Sequence, residues 1–175
     1  MSKLSPEFAL LGFLLEKPCH GYDLHQRFQT ELGQVWRASQ SQVYATLKRL
    51  EKRGDISSQL RSQKKLPARQ ILKITPAGKA RFEKWLNETS RNSRAIRLEF
   101  LTRLYFCQKY TPERTAAIYA AQNERIAASL DALEKRLHAL PPEEIYNKLS
   151  LDLRLRQIRL MQDWMLDIKA AFHIP

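Results

Sequence analysis

Two short alternating runs, Ile56 to Leu60 and Gln70 to Ile74, flank a basic connection containing Pro67, in a chain whose other apolar residues recur at helical spacing. A lone two-stranded hairpin is marginal in water, so this one must pack on helices. That requirement restricts the folds open to the chain more than any other feature.

Proline, glycine and hydroxyl punctuation marks those helices. Ser5 and Pro6 read as N-cap and N1 of a first helix in which Phe8, Leu11, Leu14 and Leu15 recur up to Glu16, with Pro18 as its stop. A second helix is expected from about Gly21 to Leu32, with Tyr22, Leu24, Phe28 and Leu32 mostly on one side and Gly33 as a left-handed exit. A third begins near Ser39 or Ser41 and ends at Arg53 before Gly54. After the hairpin, Thr75-Pro76 launches a fourth through Phe82, Trp85 and Leu86. Helix, helix, helix, strand, strand, helix is the order of a winged helix-turn-helix.

Beyond the polar stretch from Asn87 to Ser93 no further strand is needed. Ile96 to Tyr110 reads as helical, Thr111-Pro112 caps a long helix to about Leu140, and Pro141-Pro142 restarts the chain into a last helix ending near Phe172. Ile126, Leu130, Leu133, Leu137 and Leu140 step by 4, 3, 4 and 3, a heptad seam that wants a partner helix. The last helix carries two apolar stripes. Tyr146, Leu149, Leu153, Leu160 and Trp164 form one, and Leu151, Leu155, Ile158, Met165 and Ile168 the other. One stripe can face its own chain and the other a second copy, which predicts a homodimer; which stripe does which is left open. The expected partner-facing residues are Ile126, Leu130, Leu133, Leu137, Leu149, Leu153, Leu160 and Trp164. The fold class expected is mainly α: a winged-helix DNA-binding domain over 1–90, with three helices, a two-stranded wing and a linking helix, and a C-terminal α-helical dimerisation or effector domain over 91–175.

Charge says what the first half meets. From Arg37 to Lys84 stand thirteen basic and three acidic residues, a net +10 within a whole-chain formal charge of +12. With Val43 as reference and 100° per residue, Leu47 and Leu50 share the inner side of the third helix, while Ser41, Ala45, Lys48 and Lys52 lie opposite. Gln42 and Arg49 flank that outer face, Tyr44 borders it on the other side, and Ser39 stands at its start. Small hydroxyls and a methyl allow close approach to a groove, amides reach base edges, and cations hold phosphates. A merely solvated helix end would also attract cations through the macrodipole. The basic hairpin tip, with Lys64, Lys65 and Arg69 placed to meet the duplex backbone, tips the reading towards double-stranded DNA.

Other chemistry is not indicated. The five glycines are scattered and cradle no phosphate, and no cofactor is implied. His20 and His25 lack a third ligand, and Cys19 and Cys107 read as reduced thiols, so no metal site is expected. No nucleophile is paired with a base, so no catalytic residue and no enzyme are expected. No membrane partner is expected, because no apolar run approaches a span, and the chain should work in the cytoplasm at the nucleoid.

The blocks Gly12-Phe13-Leu14-Leu15, Pro18, His20-Gly21-Tyr22-Asp23-Leu24, Gln42-Val43-Tyr44-Ala45-Thr46-Leu47-Lys48-Arg49-Leu50-Glu51 and Ile74-Thr75-Pro76-Ala77-Gly78 resemble, in this order, the PadR family of bacterial transcriptional regulators. Glu99-Phe100-Leu101-Thr102-Arg103-Leu104-Tyr105-Phe106 is similar to the opening of the helical dimerisation domain of long members. The resemblance implies a homodimer on an inverted-repeat operator and often a small aromatic effector, whose binding residues are unassigned. It implies DNA-facing roles for Tyr44 and Lys48 and structural roles for Gly21 and Tyr22. Ala45 departs from a common proline and Leu72 from a frequent aromatic. A ligand-responsive repressor is the expected function. The alternatives are an activator of the virulence-regulator type, or a winged-helix scaffold for protein partners without specific DNA binding.

Overall fold

The computed structural model describes residues 4–63, 66–90 and 92–175. Its contacts sort into two compact units, Met1–Glu88 and Thr89–Pro175.

The first unit runs α1 (Glu7–Glu16), β1 (Cys19–His20), α2 (Gly21–Leu32), α3 (Gln40–Lys52), β2 (Ile56–Gln63), β3 (Leu66–Ile74) and α4 (Pro76–Leu86). Mainly α with this winged order is the expected class. Helix α1 is its centre: Ala9, Leu10, Leu11, Phe13 and Leu14 are each at most 1% exposed, and α2, α3, α4 and β3 all pack against it. A helix apolar all round is a core helix rather than an amphipathic one. Its start also differs. Pro6 is the N-cap, its carbonyl accepting from the Leu10 amide at 3.1 Å, and the Ser5 hydroxyl accepts from Arg49 instead.

In α2, Leu24, Phe28 and Leu32 are buried, but Tyr22 is 57% exposed, its hydroxyl accepting from the Gln26 amide. Gly33 does not leave α2 left-handed. Its φ is −62°, and a Cβ there would stand 2.2 Å from the Gln29 carbonyl oxygen, so want of room replaces handedness as the reason for glycine. The left-handed turn is at Gly54, φ 78°, between α3 and β2.

The sheet has three antiparallel strands in the order β1-β3-β2. Cys19 and His20 pair with Leu72 and Ile71, occupying the edge of β3 that β2 leaves open. His20 Nδ1 lies 3.1 Å from the Gln70 carbonyl oxygen at the same edge. Two residues are too short for an alternating pattern, so a two-stranded wing was all that the sequence displayed. In α4 the Thr75 hydroxyl accepts from the Gly78 amide, and Phe82, Trp85 and Leu86 are buried, with Trp85 stacked on Phe8 at 4.8 Å between ring centroids.

The second unit comprises α5 (Ser93–Ala95), a π-helical stretch (Ile96–Phe100), α6 (Leu101–Tyr110), a 3-10 turn (Pro112–Arg114), α7 (Thr115–His138) and α8 (Ile145–Ala171). Within its core lies Arg103, 1% exposed, whose guanidinium donates to the Ser90 hydroxyl at 2.8 Å and to Glu99 at 3.2 Å. Ser90 and Gln122 exchange two further hydrogen bonds, Ser90 N to Oε1 at 2.7 Å and Nε2 to the Ser90 carbonyl at 3.1 Å. A buried charge is tolerable when its hydrogens are so engaged.

Helices α7 and α8 pair through Leu133, Leu151 and Leu155, with Leu130, Leu137, Leu140 and Ile158 packed around them. This corrects half of the expected dimer seam. Ile126 and Leu133 are 2% and 7% exposed within one chain, and Leu130 and Leu137 pack on the α8 cluster. The helix that wanted a partner finds it seven residues further along the same chain. Tyr146, Leu149, Leu153 and Leu160 remain 58% to 89% exposed, while Trp164 is half-buried.

Candidate nucleic-acid interface

The candidate interface is the outer side of α3, a helix whose N-terminus is built by a reciprocal cap. The Ser39 hydroxyl accepts from the Gln42 amide at 3.3 Å, and the Gln42 side-chain oxygen accepts from the Ser39 amide at 2.9 Å. Ser39 and Gln42, expected at the groove, therefore also hold the helix start, a second duty that the Ser-x-x-Gln spacing carries. Val43, Thr46, Leu47 and Leu50 are at most 4% exposed and seat α3 on the core.

Opposite that seat, Ser41, Ala45, Lys48 and Lys52 are exposed, as are Gln42, Tyr44 and Arg49 on the flanks. The structure thus brings these expected residues onto one solvent-facing surface. Tyr44, 37% exposed, packs its ring beside Gly21, where a Cβ would meet Cε1 at 3.1 Å. Arg49 leans back, donating to the Thr46 hydroxyl at 3.0 Å and to Ser5 at 3.4 Å. Glu51 is also exposed, its carboxylate accepting from the Ser58 hydroxyl on β2.

The wing strands are paired from Ile56↔Ile74 through Arg61↔Arg69, with an irregularity between Arg61 and Gln63. Arg69 thus has its backbone on β3 opposite Arg61. Lys64 and Lys65, expected at the tip, lie outside the described residues.

Not every cation of the basic stretch is free to meet a ligand. Arg53 pairs with Glu7 and Asp55, and Arg81 pairs with the same two carboxylates. Burial works against the charge of Arg53, yet its hydrogen bonds to Asp55 and Glu7 outweigh that and hold its pKa above the ordinary arginine value. Conversely, Arg37 stands exposed two residues before the cap of α3. Its place in the basic run was the available signal, but no helical face includes it.

Among the described residues no three His, Cys, Asp or Glu side chains gather for a metal, and no helix is long and apolar enough to cross a membrane. Burial pushes the Cys19 thiol above its usual range, which makes it a poorer nucleophile. Of the aromatic residues Trp36, Phe106 and Tyr119, each at most 7% exposed, all are core rather than open surface.

Residues 10–84, which span α1 through most of α4, match the family model described as the transcriptional regulator PadR-like family. Over these residues the chain is similar to the PadR-like family. Among its relatives, the "Negative transcriptional regulator PadR" of Bacillus subtilis (strain 168) is 28% identical over 128 residues, 73% of this chain and 70% of the relative. The "Probable transcriptional regulator Rv1176c" of Mycobacterium tuberculosis (strain ATCC 25618 / H37Rv) is 30% identical over 94 residues, 54% of this chain and 50% of that protein. A crystal structure of Bacillus subtilis PadR in complex with operator DNA aligns with 24% identity and a TM-score of 0.47, over 95% of this chain and 98% of the other. The family and these relatives are transcriptional regulators, not enzymes.

Proposed function

We propose that this PadR-like regulator is a repressor that binds an inverted-repeat operator as a homodimer, laying α3 of each copy in successive major grooves. The observation that carries the reading is the outer side of α3, where Ser41, Ala45, Lys48 and Lys52 stand exposed directly opposite the buried Val43, Leu47 and Leu50. Short side chains at its centre let the backbone approach base edges, and the two lysines reach phosphates on either side. In this reading Lys64, Lys65 and Arg69 add phosphate contacts.

In this proposal residues 1–90 bind DNA and 91–175 assemble the dimer. The α8 stripe of Tyr146, Leu149, Leu153 and Leu160, with Trp164 at its end, is the partner-facing surface, because its apolar area is left uncovered within one chain. Repression is supported by the Bacillus subtilis relative, whose name is that of a negative regulator. The protein acts where its operator lies, in the cytoplasm. A small aromatic effector relieves repression by favouring a dimer whose two α3 helices no longer match the operator spacing.

The test is binding to fragmented genomic DNA across a salt series. A specific duplex should be enriched, and log K should fall with log salt by about 0.9 per phosphate contact. A flat salt response with no enriched sequence would sink the proposal and favour a protein-binding scaffold.

A further inference from the structure

Four side chains from separate parts of the first unit close a ring of ion pairs. Asp55 Oδ2 accepts from Arg53 Nε at 2.7 Å and from Arg81 Nη1 at 2.6 Å. Glu7 accepts from Arg53 Nη2 at 3.1 Å and from Arg81 Nη2 at 2.6 Å, using its two oxygens separately. The ring joins the first turn of α1, the C-cap of α3, the turn into β2 and the middle of α4. Asp55 is buried and Glu7 largely so, whereas the two arginines are partly exposed. Their geometry is the informative part.

The backbone of the same turn is held by the same helix. The Asp55 carbonyl accepts from the Thr75 amide at 3.0 Å and from the Thr75 hydroxyl at 3.1 Å, and that hydroxyl also reaches the Gly54 carbonyl at 2.7 Å. One turn on, a Cβ at Gly78 would stand 2.0 Å from the Asp55 carbonyl oxygen, so only glycine lets α4 approach this closely. Thr75, Gly78 and Arg81 fall at spacing three, on one side of α4. The Arg81 guanidinium also lies over the Phe8 ring, 5.1 Å from its centroid, and Phe8 stacks on Trp85 further along α4. Two carboxylates and an aromatic ring thus hold the Arg81 guanidinium in one place.

We infer that Arg81 is a positioning residue for DNA binding: through Asp55 and Arg53, α4 grips the exit of α3 and sets the angle at which the outer face of α3 is presented. The inference rests on the DNA-binding reading above. Both of its cations are neutralised by carboxylates in the ring, so Arg81 acts by holding Asp55 and not by touching phosphate. A lysine would keep the charge but lacks the planar fork that serves two carboxylates at once.

The test compares Arg81→Lys and Arg81→Ala in the full chain, on the duplex that the wild-type protein enriches, at a temperature where circular dichroism shows the variants folded. Both should weaken binding by about tenfold or more, because a supporting side chain that no longer fixes its neighbour loosens the presented surface. A separate arm needs no DNA: amide hydrogen exchange over residues 52–55 should accelerate in Arg81→Lys. Wild-type binding by Arg81→Lys would show that charge alone matters and overturn the inference. Unchanged exchange over 52–55 would overturn the grip itself, and this arm still reports if the wild-type protein binds no duplex, a result that would instead overturn the DNA-binding reading. Should Arg81→Ala fail to fold, the lysine variant and its exchange profile decide the matter.

Discussion

Lys48 stands at the middle of the outer face of α3, with no carboxylate engaged among the described residues, whereas Arg53, five residues on, is held by two. Formal charge alone does not distinguish them. Replacing Lys48 by alanine should lower operator affinity and reduce the salt slope by about 0.9, with the melting temperature unchanged, as read from binding isotherms at several salt concentrations. A slope identical to wild type would remove Lys48 from the interface. Ser39 makes the opposite kind of contribution. Ser39→Ala removes the oxygen that accepts the Gln42 amide, and urea unfolding should show a loss of about 1 kcal/mol. Gly54→Ala should lose a similar amount, about 1 kcal/mol, because φ of 78° brings any Cβ into strain.

At the scale of elements, the two apolar stripes of α8 have separate fates. Leu151 and Leu155 lie under α7 with Leu133, while Leu149, Leu153 and Leu160 face outward. Leu133→Ala should therefore destabilise the hairpin itself by about 2 to 5 kcal/mol, visible as an earlier unfolding transition. Leu153→Asp should leave helix content intact and convert the proposed dimer to monomer in sedimentation equilibrium. If Leu153→Asp remains a dimer, the outward stripe is not the partner surface. The existence of these helices was legible because proline, glycine and hydroxyl residues bracket apolar runs of period 3.6. The pairing was not, since Leu133 and Leu153 look alike until it is known which side α7 covers. For the same reason Tyr22, grouped by spacing with Leu24, Phe28 and Leu32, proves exposed where they are buried, and β1 went unseen because two residues carry no periodicity.

At the scale of the whole molecule, a homodimer on a palindromic operator requires half-site centres about 34 to 36 Å apart, one turn of the double helix. Footprinting of the enriched duplex should show two protected major-groove segments at that separation. One protected segment, or a spacing unrelated to the helical repeat, would argue against a symmetric pair of α3 helices. The sequence by itself determined the winged order and the seat and outer face of α3, because helix periodicity, capping chemistry and a local excess of cations are written in near neighbours along the chain. Only the tertiary structure decided which cations are spent on carboxylates and which apolar stripe is covered. Glu7, Arg53, Asp55 and Arg81 meet across gaps of up to 74 residues, and no local rule relates residues so far apart until the chain has packed them together.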